Sequence, residues 1–321
     1  MDNFYLISIR NSEGRHTDVY LDFENEILNY TGWKSVKAPN KIIQSFFYKF
    51  LLKKFKNPLP NINIPISTSN KKIFSVLSGI EYAKIFTRFF FPARLKVVYQ
   101  FDSWTHDNEI NKNAYRFFNI NVAFISIKEA VEFFNSLNIP NFKAYWIPEA
   151  VNSKSYSFSD YQLRNIDIIQ YGRCWKWFHN QIYDYCKVKS YNYIFPNSNN
   201  SFQNRTELIG TLSRSKIAIC IPRNITNPEL YDLSTITSRY FECFSSKCLV
   251  LGDAPSELIE LFGYDPIIRI DYNNPQKQVS ELLLNFNNYI SLIEKNYLEV
   301  IKNHQWDNRI KEMIRILENY K

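Results

Sequence analysis

The chain of 321 residues has length for about two domains of 100–200 residues each. Its 45% hydrophobic and 17% aromatic content excludes a disordered tail. Lys and Arg number 39 against 31 acidic residues, and the resulting net charge of +8 favours anionic partners: nucleotides, phosphorylated lipids or a membrane surface. There is no arginine-rich run, zinc-ligand spacing or RNA-binding aromatic signature, so nucleic acid is not an expected partner.

The expected elements of the first half, in chain order, begin with a strand at 4–9 and a helix at 41–55. Strands are expected at 72–77, 95–101, 122–127 and 143–147, with a helix at 127–137. The helical segment continues to Lys56 as KIIQSFFYKFLLKKFK, with a bulky apolar face and a lysine-rich one. It reads either as a core helix with a solvated outer face or as a helix lying on an anionic membrane. A polar stretch at 150–160 follows Pro148-Glu149 and marks the expected domain boundary.

The second half is more regular. Strands are expected at 166–171, 191–195, 216–221, 248–251 and 267–270, alternating with helices at 175–188, 204–213, 237–245 and 256–262. Long helical patterns at 275–303 and 307–320 close the chain. Short apolar strands alternating with helices predict βαβ units and parallel sheets.

Five cysteines, odd in number and without a C-x-x-C pair, fit a reduced compartment better than a disulfide framework. Met1-Asp2-Asn3 lacks the basic start of a secretory signal, and no apolar run of 18 residues could span a bilayer. The expected setting is cytoplasmic, either free in it or in peripheral contact with the inner face of the membrane.

Only 7 glycines occur, and none fall into G-x-G-x-x-G or P-loop spacing. Phosphate binding must then rely on a helix N-terminus and side-chain cations. Gly172-Arg173 follows a strand and precedes a helix, so it is either a plain turn with a surface arginine or a backbone-and-cation cradle for a diphosphate. Thr235, Thr237 and Ser238 stand where N-caps belong and are candidates for phosphate oxygens as well. Arg239 and Glu242 lie three apart on one helix face. They form either a surface ion pair worth under about 1 kcal/mol or a site in which Glu242 accepts from ribose hydroxyls. Aromatic neighbours make Glu242 a partly buried carboxylate that needs a partner.

A second cluster, Asp102, His106, Asp107 and Glu109, ends the strand at 95–101 and offers acid/base candidates, with a plain loop histidine as the alternative for His106. Glu149, at the end of the last strand of the first half, is expected to point toward the cleft and is a candidate for substrate binding. No D-x-D pair is available to hold a divalent cation against a diphosphate. No metal and no cofactor are expected.

Several pieces together resemble the C-terminal domain of GT-B glycosyltransferases, especially family-1/family-4-like proteins related to the spore maturation group CgeB. They are Y-G-R at 171–173, T-S-R-Y-F-E at 237–242, C-L-V-L-G-D at 248–253, P-S-E-L-I-E-L-F-G at 255–263 and H-x-W-x-x-R at 304–309. W-I-P-E-A-V at 146–151 resembles that family's closing strand and linker. The resemblance covers about half the chain. It implies an α/β, GT-B fold: two Rossmann-like domains facing across a cleft, with the last helix packing back on the N-terminal domain. The implied limits are 1–152 for an acceptor domain, 153–303 for the nucleotide-sugar domain and 304–321 for the returning helix.

The resemblance makes Glu242 the ribose ligand and Arg173 the diphosphate-facing cation. One feature departs from the family-4 pattern, which has two glutamates separated by seven residues: Ser234 stands where the first would fall. The expected activity is metal-independent transfer of a sugar from a UDP- or GDP-linked donor to a hydroxyl of a glycan or lipid-linked glycan, in surface polysaccharide or glycolipid synthesis. The competing readings are a sugar-nucleotide epimerase and a non-catalytic binding or coat protein on the same scaffold.

Overall fold

The computed structural model describes residues 4–8, 18–37, 70–78, 93–172, 174–196, 202 and 204–320. The expected basic helix at 41–55 and Arg173 lie outside them. The chain divides into two compact units, Met1–Glu149 with Trp306–Lys321, and Ala150–Gln305. The sequence expectation had placed the breaks three residues later at the first boundary and two residues earlier at the second.

Unit 1 is built on a parallel sheet of order β2-β1-β3-β4-β5-β6. The strands are β1 Phe4–Ser8, β2 Lys34–Lys37, β3 Lys72–Leu77, β4 Leu95–Gln100, β5 Val122–Ile125 and β6 Lys143–Trp146. Helix α1, Asp18–Thr31, links β1 to β2; α2, Asn108–Phe117, and α3, Lys128–Ser136, follow β4 and β5. All six residues of β4 and all four of β5 are buried, as expected of central strands covered on both faces. Helix α1 and β2 were not anticipated from the sequence. The α1 segment DVYLDFENEILNYT carries acidic residues among its apolar ones, which blurs its periodicity; Phe23 and Ile27, one turn apart, carry its buried side.

Unit 2 carries the parallel sheet β11-β10-β9-β7-β8. Its elements run β7 Ile166–Gln170, α4 Lys176–Val188, β8 Tyr193–Ile194, α5 Arg205–Leu212, β9 Ser215–Cys220 and α6 Arg223–Thr226. They continue with α7 Ser238–Ser245, β10 Leu249–Gly252, α8 Ser256–Phe262, β11 Ile268–Arg269, α9 Pro275–Leu284 and α10 Ile290–Asn303. Local sequence rules account for several ends. Asn204 caps α5 by accepting from the Glu207 amide at 2.9 Å. Gly263 stops α8 in the left-handed region at φ 71°. Gly252 allows β10 to approach β9 closely, since a Cβ there would lie 1.8 Å from the Cys220 carbonyl oxygen.

The sheet separates two apolar cores. One joins Ile169, Cys220 and Val250 to Tyr240, Phe241 and Phe244 of α7. The other joins Ile168, Ile217 and Leu249 to Phe178 and Ile182 of α4 and Val279 of α9. The single helix expected over 275–303 is in fact α9 and α10, separated by a 3-10 turn at Phe286–Tyr289. Asn285, Asn287 and Asn288 there are poor helix formers that compete for backbone hydrogen bonds. Helix α11, Trp306–Leu317, belongs to unit 1, where Trp306 packs on Phe23 with ring centroids 4.3 Å apart.

Candidate active site

In unit 2 the chain leaves β7 for β8 on one side and later returns to β9 on the other. The carboxyl ends of β7 and β9 therefore form the switch point at which doubly wound sheets bind ligands. Tyr171 and Gly172 leave β7 there, and Ile221 and Pro222 leave β9. Helix α7 stands behind them through contacts with β9 and β10.

Gly172 adopts φ +73°, in the left-handed region that glycine tolerates. The Arg239 guanidinium lies against it: a Cβ on Gly172 would sit 3.5 Å from Nη1. Among the described residues no carboxylate pairs with Arg239, so of the two sequence readings the Arg239–Glu242 surface pair is not formed; Glu242 faces Arg205 instead. Thr237 holds the N-cap position of α7 with extended backbone (φ −125°, ψ 158°), but its side chain makes no capping bond, and the first turn carries no acidic residue. Ser238 is buried in that turn. A cation and the α7 amides are thus gathered beside an open glycine, the elements of an anion site.

Glu242 is buried, at 3% exposure. Its Oε2 accepts from the Tyr171 hydroxyl at 2.9 Å, and its Oε1 lies 3.5 Å from Nη2 of Arg205. The Tyr171 hydroxyl also lies 3.2 Å from the Arg239 carbonyl oxygen. Burial, then the neighbouring Cys243 and Glu242, push the Tyr171 phenol well above its ordinary range, so it stays protonated and donates. Thr235 faces elsewhere: its hydroxyl donates to Oε2 of buried Glu257 at 3.1 Å, and the Ile236 amide donates to the same oxygen at 3.2 Å. Thr235 therefore anchors the loop entering α7 instead of capping the helix.

In unit 1 the acid/base candidates gather at the carboxyl ends of β3 and β4. Asp102 Oδ2 lies 3.4 Å from the Tyr20 hydroxyl, which itself accepts from Ser78 at 2.9 Å. The 3-10 turn Thr105–Asp107 brings His106 Nε2 within 3.6 Å of Asp107 Oδ2, with the His106 side chain 52% exposed. Burial raises the Asp107 carboxyl above its ordinary range; His106 opposes that shift and Asp102 adds to it. Glu109 instead pairs with Lys112 on the surface. Glu149 is half-buried at the end of unit 1, and its charge adds to the effect of burial in raising the Tyr99 phenol.

Sequence reasoning missed Arg205 and Glu257. A cation directly after a helix N-cap was the available signal for Arg205, because it opposes the helix dipole. Nothing local marks Glu257. His304 of the H-x-W-x-x-R motif is a core residue of unit 2, stacked on Phe262 at 4.8 Å.

A family model described as glycosyl transferase-like matches residues 162–315. No curated protein matches the sequence. Among solved structures, sucrose-phosphate synthase from Thermosynechococcus elongatus is similar at TM-score 0.62 and 10% identity, over 99% of this chain and 99% of that one. HepE of Anabaena, solved with UDP and glucose, is similar at TM-score 0.60 and 8% identity, again over 99% of each chain. A glycosyltransferase from Rickettsia africae gives TM-score 0.52 and 11% identity over 100% of this chain and 99% of that one. These similarities show the fold: the two Rossmann-like units have the GT-B architecture.

Proposed function

We propose that the protein is a glycosyltransferase that moves a sugar from a nucleoside-diphosphate sugar to an acceptor hydroxyl without a metal ion. The observation that carries this reading is the Arg239 guanidinium, lying over Gly172 at the start of α7 with no carboxylate partner among the described residues, one turn from buried Glu242. Arg239 and the α7 amides stabilise the charge that develops on the departing diphosphate, the term on which such a reaction depends most. Glu242 accepts from the ribose hydroxyls. Asp107, with a raised carboxyl beside His106 and Asp102, takes the acceptor proton. Two similar structures were solved with UDP, which supports a UDP-linked donor, with GDP as the alternative. The net charge of +8 supports a lipid-linked or anionic glycan acceptor of surface polysaccharide or glycolipid synthesis.

The test is thermal stabilisation by UDP, GDP, CDP, TDP and ADP, with and without EDTA. Saturation at 100 times Kd adds about 2.7 kcal/mol, and the expected result is a clear shift from one nucleotide that EDTA leaves unchanged. Arg239→Gln should weaken that nucleotide about tenfold or more while sparing the nucleoside, since a charged hydrogen bond contributes about 1.5–3 kcal/mol. No shift from any nucleotide would leave a non-catalytic protein on a GT-B scaffold as the better account.

A further inference from the structure

Arg205 occupies an unfavourable position for a cation. It is the first residue of α5, where the helix dipole repels positive charge. Its side chain is 22% exposed and reaches toward the Glu242 carboxylate, which is 4% exposed. The same nitrogen, Nη2, donates to the Tyr156 hydroxyl at 2.7 Å, and the guanidinium carbon stands 5.7 Å from the Tyr156 ring centroid. The arginine is thereby held from one side and directed at the carboxylate from the other.

The two Glu242 oxygens are treated differently. Oε2 takes a short bond from Tyr171 at 2.9 Å, whereas Oε1 stands 3.5 Å from Arg205. At that longer distance charge attraction persists, yet a carboxylate oxygen keeps lone pairs for another donor. Tyr171 fixes the orientation of the carboxylate, and Arg205 supplies the charge that compensates its burial. One oxygen is left with acceptor capacity.

We infer that Arg205, together with Tyr171, is a positioning residue that aims Glu242 at the donor ribose, so that the protein selects ribonucleoside diphosphates over those lacking ribose hydroxyls. This rests on the reading of Glu242 as the ribose acceptor. It adds the prediction that selectivity belongs to the Tyr156–Arg205–Glu242–Tyr171 network and is lost when the arginine is removed with Glu242 intact.

The experiment is calorimetric titration of the full chain with UDP, GDP, CDP and ADP and their 2′,3′-dideoxy counterparts. It compares the unmodified protein with Glu242→Gln, Arg205→Met, Arg205→Lys and Tyr156→Phe, with the urea midpoint of each recorded. The unmodified protein should bind one ribonucleotide about tenfold or more tighter than its dideoxy form. Arg205→Met should weaken the ribonucleotide by a similar factor and leave the dideoxy form unchanged, so the preference collapses. Arg205→Lys should restore part of it, and Tyr156→Phe should lose part of it. If Arg205→Met does not fold, those two variants carry the test.

Equal weakening of both ligands would mean that Arg205 only supports the fold, which overturns the inference. Preference retained in Arg205→Met but lost in Glu242→Gln would overturn it while the ribose reading stands. Tight binding without preference in the unmodified protein would remove Glu242 from the ribose. No nucleotide binding at all would overturn the donor-site reading itself.

Discussion

At the scale of single residues, burial decides which polar groups carry consequences. Lys96 on β4 is 6% exposed, its Nζ donates to the Phe118 carbonyl oxygen at 2.9 Å, and burial lowers its ammonium to about 8 from an ordinary 10.5. The unfolded chain therefore holds a proton that the folded one releases between these values. Where the unfolded state binds more protons, stability rises with pH. The charged lysine penalises the fold fully below about pH 8, and the penalty fades toward 10.5. The stability of the unmodified protein relative to Lys96→Met should thus increase between pH 7.5 and 9.5, by about 1–3 kcal/mol. Urea midpoints of both proteins at the two pH values measure this, and the difference cancels the tyrosines and cysteines that titrate nearby.

At the scale of elements, α7 is the part that arranges the candidate donor site, and it is secured at both sides of its N-terminus. Tyr171 ties the end of β7 to the first two turns of α7 through Glu242 and the Arg239 carbonyl oxygen. Glu257 of α8 ties down the entering loop through Thr235 and Ile236. Both of those donors converge on one carboxylate oxygen, so a glutamine oxygen can replace it. Glu257→Ala should cost about 1–3 kcal/mol by leaving two buried donors unmet, and should also weaken nucleotide binding. Glu257→Gln should recover most of both. Urea unfolding with nucleotide titration measures the pair, and a glutamine variant as impaired as the alanine one would contradict this account.

At the scale of the whole molecule, the chain enters unit 1, builds unit 2 and comes back to unit 1. The return is fixed by aromatic packing: Trp306 lies 4.3 Å from Phe23, 6.0 Å from Phe101 and 6.2 Å from Tyr99, measured between ring centroids. Arg309, one turn further, donates to the Pro148 carbonyl oxygen at 3.2 Å. Trp306→Ala should destabilise unit 1 by about 3–5 kcal/mol through loss of apolar contact and the cavity left behind. Hydrogen exchange should show amides of β1 and β4 losing protection while those of β9 and β10 keep theirs. Protection lost equally in both units would contradict a local role for this tryptophan.

The sequence by itself determined the parallel α/β character, because buried parallel strands need continuous apolar runs such as KIAIC and CLVL, and their alternation with helices reads directly along the chain. It also singled out Gly172 at a strand end and put Arg239 and Glu242 on one helix turn, since both are local features; that Arg239 lies against Gly172 comes only from the fold. It did not reveal helix α1, whose acidic residues hide a narrow apolar face, or the break at 286–289, where propensity is weak and packing decides. The partners of Glu242 were equally hidden. Arg205 stands 37 positions before it and Tyr171 71 positions before it. Glu257 reaches Thr235 across 22 residues in the same way. Local sequence sets which side chains share a turn or a strand end. Only the folded sheet brings these distant elements to 2.9 and 3.5 Å, and that proximity decides which carboxylate is buried and which arginine compensates it.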